Sequence, residues 1–250
     1  MGPKQGGVMQ SEIEMKLFKP QMRLYINITN KCNVSCPFCC QYSSPLRNYN
    51  MPFDIFKAII DEHENFEVQL EGGEPTVHPE FVKMVSYCLK HKECGRVIIQ
   101  SNGIERALLE RCLIEKDLWT KLIFKISFND YLYKLGNKPA SEHKNITNNH
   151  LFNLLLLKQN TQFVPNVELI INARTTENDS NDVKQLLEDN GLIENAVIYK
   201  IQKYGRSKEG VEPFIKQNID DWKIYASDGK CFGQDLITRS EYEKREEQTI

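Results

Sequence analysis

The chain has 250 residues, 40% hydrophobic and 26% charged, with a formal net charge of -2. That length gives one large domain, or a domain with a small appendage, and ample material for a core. The near-neutral charge argues against a dedicated nucleic-acid binder. No stretch approaches the roughly 18 apolar residues that span a bilayer, and the amino terminus lacks the apolar run of a secretory signal. A cytoplasmic protein with reduced thiols is therefore expected.

Residues 1–20, rich in Gly, Gln and Lys, are predicted to form a flexible arm. After it, short β-branched and aromatic runs alternate with segments of helical period. "RLYINIT" (23–29) predicts a strand and "FDIFKAIIDEHE" (53–64) a helix. A strand at 66–72, a helix at 79–92, a strand at 96–102 and a helix at 105–116 follow. Strands at 121–129, 166–174 and 195–204, with helices at 149–160 and 181–190 between them, complete the alternation. Strands separated by helices of this length form parallel βαβ units, not hairpins. Six such units build an open doubly wound sheet or a partial barrel. Beyond about residue 205 the pattern dissolves into a charged tail.

Parallel βα folds bind ligands at the carboxyl ends of their strands, and the unusual residues fall there. Past the first strand, "CNVSCPFCC" holds four cysteines in nine positions, 32–40. "EGGEPTVHP" (71–79), "QSNG" (100–103), "SFND" (127–130), "NARTTEN" (172–178) and "KYGRS" (203–207) follow the later strands. A disulfide framework fits neither the crowding nor the compartment. A four-thiolate zinc site would use two distant CxxC pairs. Three thiolates on one CxxxCxxC loop, Cys32, Cys36 and Cys39, can hold three corners of a [4Fe–4S] cube. Cys40, adjacent to Cys39, is expected to point elsewhere and leave one iron open.

The CxxxCxxC loop after the first strand, with Phe38 before its third cysteine, and "GGEP" at 72–75 resemble the two signatures of radical S-adenosylmethionine (SAM) enzymes. The resemblance spans roughly 23–206. It implies an α/β fold, a partial (β/α)6 TIM-type barrel over 21–206 with a short C-terminal extension over 207–250. It also implies an oxygen-sensitive enzyme with one [4Fe–4S] cluster and SAM, fed electrons by a flavodoxin- or ferredoxin-type reductant. The cluster would cleave SAM reductively to a 5′-deoxyadenosyl radical, which abstracts a hydrogen from substrate. Gly72, Gly73 and the Glu74 region would meet the methionine ammonium, and Phe38 and Tyr204 the adenine. Ser101 and Asn102 would support the site or face substrate. Ser127 would meet ribose or carboxylate, and Asn172 or Arg174 the ribose or the methionine carboxylate.

The cluster loop further resembles that of peptide-modifying members, including epimerases. "CFGQDL" (231–236) is similar to the opening of their auxiliary-cluster domain, but Cys231 is the last cysteine, which implies a truncated or vestigial auxiliary region. Cys231 is then either a hydrogen-atom donor to a substrate radical or a structural thiol. His78 is either an acid–base group or a capping residue ahead of "PEF". The favoured substrate is a ribosomal peptide, epimerised or cross-linked. A small molecule or nucleotide, and a non-catalytic metal-binding module, are the alternatives.

Overall fold

The computed structural model describes residues 18–104, 121–129, 131–132, 151, 153–155, 167–173, 181–203, 205–208 and 222–245. The expected arm and the helix expected over 105–116 lie almost wholly or wholly outside them. Of 149–160, residues 151 and 153–155 are described and helical. The first strands and helices alternate as expected: β1 (Met22–Thr29), α1 (Phe53–Asp61), β2 (Phe66–Gly72), α2 (Phe81–Lys90) and β3 (Cys94–Ser101). Then come β4 (Leu122–Phe128), β5 (Val167–Ala173), α3 (Asn181–Asp189) and β6 (Ala196–Lys200). Two further elements, β7 (Trp222–Tyr225) and α4 (Leu236–Arg245), lie where the sequence pattern dissolves. All six strand pairings are parallel, in the order β6-β5-β4-β3-β2-β1-β7. The fold is the expected partial barrel of (β/α) units, with a seventh strand joined to β1.

Strand alternation divides the sheet into two chemically different faces. Leu24, Ile26, Ile28, Val68, Leu70, Val97, Ile99, Phe124 and Ile126 are buried on the outer face in the main hydrophobic core. On α1, Phe56, Ile59 and Ile60 form a buried stripe. On α2 the stripe is Phe81, Met84, Val85, Cys88 and Leu89, at i, i+3, i+4, i+7 and i+8. Each fully buried apolar side chain of this size contributes about 1.5–3 kcal/mol. The concave face carries Tyr25, Glu67, Gln69, Glu71, Gln100 and Ser127 instead. A barrel interior filled by Val, Ile and Leu would be closed packing; this one is built to be wet or occupied.

The segment 222–245 belongs to the same sheet. β7 pairs with β1 from Arg23↔Trp222 to Ile26↔Tyr225. Its far edge is covered by a return of the chain, Ile224 N–H donating to the Gly233 carbonyl at 2.8 Å. Asp235 caps α4 by accepting from the Thr238 amide at 2.9 Å and the Thr238 hydroxyl at 2.6 Å. These bonds hold the Asp235 carboxyl below its ordinary pKa. Asp235→Ala is expected to cost about 1 kcal/mol in urea unfolding, the usual worth of a cap. An unchanged midpoint would mean that α4 is held by its buried contacts alone.

Candidate active site

The cysteine loop leaves β1 and closes on itself. Thr29 pairs with Asn50 and Lys31 with Ser44 as isolated bridges, and the Cys32 amide donates to the Ser44 carbonyl at 3.1 Å. Cys32, Val34, Ile104 and Leu132 form a small apolar cluster, against which Cys36 and Tyr131 pack. Phe38 meets Tyr131 edge to face at 6.1 Å. The loop is thus fixed by packing as well as by hydrogen bonds. Burial pushes the Cys36 thiol up to about 12, the neighbouring Cys39 adding to the shift and Arg206 opposing it. Burial raises Cys32 well above the ordinary thiol range too, Glu74 adding to it.

The GG pair lets two strand ends touch. Gly73 N–H donates to the Thr29 carbonyl at 2.7 Å, and Glu74 N–H to the Lys31 carbonyl at 2.9 Å. A Cβ on Gly73 would stand 2.0 Å from the Lys31 carbonyl oxygen, so no larger residue fits without moving the start of the cysteine loop. Glu74 is fully buried. One carboxylate oxygen accepts from the Thr76 amide at 3.2 Å, the Thr76 hydroxyl at 2.7 Å and the Ser101 hydroxyl at 2.8 Å. The other accepts from the Asn102 amide at 2.8 Å. Burial raises its pKa while the bonds from Asn102, Thr76 and Ser101 pull it down. Asn102 in turn donates to Asn33 at 2.7 Å and lies 3.9 Å from the Cys32 sulfur. The second motif therefore ties the ends of β2 and β3 to the cysteine loop.

A cavity of about 300 Å³ opens at this rim. Cys32, Cys36, Cys39 and Phe38 line one side, Gly72, Gly73, Ser101, Asn102 and Ser127 the others. Ser127 accepts from Gln100 Nε2 at 3.1 Å. Glu74 stands behind the wall and is not part of the lining. Asn172 sits at the carboxyl end of β5, in register with Tyr199. Arg174 and Tyr204 lie outside the described residues. Cys231 is exposed on the return after β7, bridged to Tyr225, and does not line the cavity. His78 is buried, its Nε2 against the Met51 carbonyl at 3.1 Å and its Nδ1 accepting from the Glu80 amide at 3.0 Å. Nδ1 serves the turn before α2, as the capping alternative has it, while Nε2 ties that turn to the segment ahead of α1.

Other residues at the site carry no motif that reading the sequence could weigh. Arg206 grips the cysteine loop, donating to the carbonyls of Tyr42 at 2.7 Å, Ser43 at 2.8 Å and Cys36 at 3.4 Å. Gly205 (φ +69°) lets the backbone approach, since a Cβ there would meet the Cys40 Cα at 2.4 Å. "YGR" signalled this segment, but not that it clamps the loop. Glu71 accepts from Arg239 of α4 at 2.6 Å, Gln41 at 3.1 Å and Gln69 at 3.0 Å. Ser240 donates to the Cys40 carbonyl at 2.6 Å, and Arg47 to the Glu243 carbonyl at 2.7 Å. The last helix thereby backs the site wall through Glu71 and Cys40.

Among the described residues no three His, Cys, Asp or Glu side chains converge as they would on one metal ion. A cube does not ask for that, because each thiolate takes its own iron. Cys32, Cys36 and Cys39 share one cavity wall, and the Cys32 and Cys36 thiols, raised by burial, gain from a cationic group that displaces their protons. The donor set fits an iron–sulfur cluster. Residues 26–118 match the family model described as the radical SAM superfamily. Over that stretch the chain is similar to the radical SAM superfamily. It is 39% identical over 67 residues, 25% of this chain and 19% of the other, to the tungsten-containing aldehyde ferredoxin oxidoreductase cofactor-modifying protein of Pyrococcus furiosus. The Bacillus subtilis putative peptide biosynthesis protein YydG is 21% identical over 223 residues, 85% of this chain and 64% of YydG. Streptococcus suis SuiB, solved bound to S-adenosylmethionine, shares the fold with a TM-score of 0.53 and 16% identity, over 84% of this chain and 48% of SuiB. In its complex with the precursor peptide SuiA the TM-score is 0.51 at 18% identity, over 79% and 44% of the two chains. The chain thus spans less than two thirds of the length of these proteins. Among its described residues no helix is long and apolar enough to cross a membrane.

Proposed function

We propose that the chain is a radical SAM enzyme that binds one [4Fe–4S] cluster and SAM at this rim and modifies a peptide, by epimerisation or cross-linking. The observation that carries the reading is the meeting of Cys32, Cys36 and Cys39 with Gly72 and Gly73 around one cavity. The peptide substrate is supported by the likeness to YydG along most of the chain, and SuiB, of the same fold, is solved with a precursor peptide. When bound, the cluster supplies the electron that cleaves SAM to methionine and a 5′-deoxyadenosyl radical, which takes a hydrogen atom from substrate.

The chain's own residues bind, orient and exclude. Cys32, Cys36 and Cys39 hold the cluster, while the Arg206 clamp and the Glu74 knot fix their loop. Gly72 and Gly73 bring bare backbone to the methionine end of SAM, and Phe38 offers its ring to the adenine. Ser127 and Asn172 serve the ribose or carboxylate, Arg174 the same carboxylate, and Tyr204 the adenine. Glu74 acts through Ser101 and Asn102. Cys231 donates a hydrogen atom only if its hairpin reaches the cavity that it stands outside. A flavodoxin- or ferredoxin-type protein is the electron source.

The test is anaerobic reconstitution with iron and sulfide, then dithionite and SAM. About four irons per chain and 5′-deoxyadenosine in the product are expected. Tightly held zinc with no SAM cleavage would overturn the reading.

A further inference from the structure

The turn after β3 presents a side-chain donor to one sulfur of the cysteine loop. Asn102 is buried in that turn and held on several sides. Its amide donates to Glu74 at 2.8 Å, and its Oδ1 accepts from the Ile104 amide at 3.1 Å. Asn153 holds the same turn, donating to the carbonyls of Gly103 at 3.3 Å and Ile104 at 2.8 Å. A backbone N–H can only donate, so the Asn102 carboxamide must give Ile104 its oxygen and turn Nδ2 away. Nδ2 accordingly faces the cysteine loop, with the Asn33 Oδ1 at 2.7 Å and the Cys32 Sγ at 3.9 Å. It carries two hydrogens, one for each.

The surroundings strengthen that contact. Cys32 is 6% exposed and packs with Val34, Ile104 and Leu132. In such an apolar place a hydrogen bond to a charged group is stronger than one in water. As a thiol, Cys32 donates to Asn33 at 3.8 Å; as a cluster thiolate it can only accept. The Val34 amide is a donor to it from within the loop, and Asn102 reaches it from another strand end. Arg206, by contrast, meets Cys36 through its carbonyl at 3.4 Å. A cluster held by thiolates gains negative charge on reduction, and hydrogen bonds to its sulfurs set its potential. A donor stabilises the reduced form more, which moves that potential up.

We propose that the Asn102 carboxamide donates to the Cys32 thiolate when the cluster is bound and raises the reduction potential of that cluster. The proposal rests on the cluster reading and adds how this chain makes the cluster easier to reduce. Asn102 acts through Cys32 and needs no contact with SAM or substrate to do so. Loosening of the site would also move the potential up, because admitted water favours the more highly charged reduced state. Loss of a donor moves it down. The sign of the shift in a variant therefore separates a donor from a residue that only holds the turn.

Asn102→Ser keeps the amide for Glu74 and a hydroxyl that can accept from Ile104, as serine does in such turns. Its side chain is shorter and does not reach Cys32. Asn102→Thr repeats the change on a stiffer side chain, so that one misfolded variant does not end the test. Wild type and variants are reconstituted with iron and sulfide and titrated without SAM, the reduced cluster being followed by electron paramagnetic resonance. At the wild-type midpoint the reduced-to-oxidised ratio is expected to fall about tenfold in each variant, a potential about 59 mV lower. The midpoint is read from the clusters present, so partial loading does not change it. An unchanged or higher potential overturns the proposal. Loss of the cluster from both variants does so too, because the carboxamide would then build the site and not tune it. A wild type that takes up no cluster refutes the radical reading itself, whereas a wild-type cluster with unshifted variants sinks only the Asn102 donor.

Discussion

Cys36→Ala is expected to leave the protein folded, to reduce bound iron to background after reconstitution, and to abolish 5′-deoxyadenosine. Cys36 has no role in the main core, so its removal leaves the sheet and its helix-side packing intact. It stands between the Arg206 clamp and the Val34, Ile104 and Leu132 cluster, where the loop has little freedom to offer another ligand. The informative partner is Cys40→Ala. Cys40 also lines the cavity, but its backbone is tied to α4 through Ser240 and packs against Gly205. Cys40→Ala is expected to retain iron and SAM cleavage. Iron analysis and the 5′-deoxyadenosine yield of the two variants check this together. Equal loss in both would make Cys40 a ligand and remove the open iron on which the SAM site depends.

The elements legible in the sequence are those whose chemistry is local. The strands at 22–29, 66–72 and 122–128 are apolar, β-rich runs, and the parallel order followed from the helices between them. Boundaries moved where tertiary contacts decide. α1 stops at Asp61, not at residue 64, because His63 turns its Nδ1 back to the Ile59 carbonyl at 2.8 Å and Asn65 adopts φ 44°. β3 starts at Cys94, ahead of the residues with β propensity, because Phe66 pairs with Cys94 across the sheet. α4 was hidden for a different reason: the side chains it buries are Arg239, Ser240 and Glu243. Hydrophobic periodicity reads such a face as solvent. The same holds for the site. Cys32, Cys36, Cys39 and the GG pair carry their chemistry in their spacing. Glu71 and Arg239 become meaningful only when 168 residues of chain bring them together, and no spacing rule records that.

Glu74→Leu separates a residue that binds SAM from one that holds the site in shape. The geometry predicts the second, and a large effect on stability. Leucine would remove the acceptor that the buried amides of Thr76 and Asn102 use, and that of two hydroxyls. A hydroxyl can rotate to another partner, but a backbone N–H cannot. With about 1–3 kcal/mol for each orphaned group, the expected loss is about 3–5 kcal/mol in urea unfolding. Glu74→Gln keeps the shape and the oxygen facing Thr76 and Ser101, but turns an NH2 toward the Asn102 amide, itself a donor. Its expected cost is about 1–3 kcal/mol. Both variants should also load less iron, because Asn102 links Glu74 to Asn33 and Cys32 at the start of the loop. A Glu74→Leu protein with wild-type stability and iron content but no affinity for SAM would refute this: the carboxylate would then belong to the ligand, and the knot between β2 and β3 would be incidental.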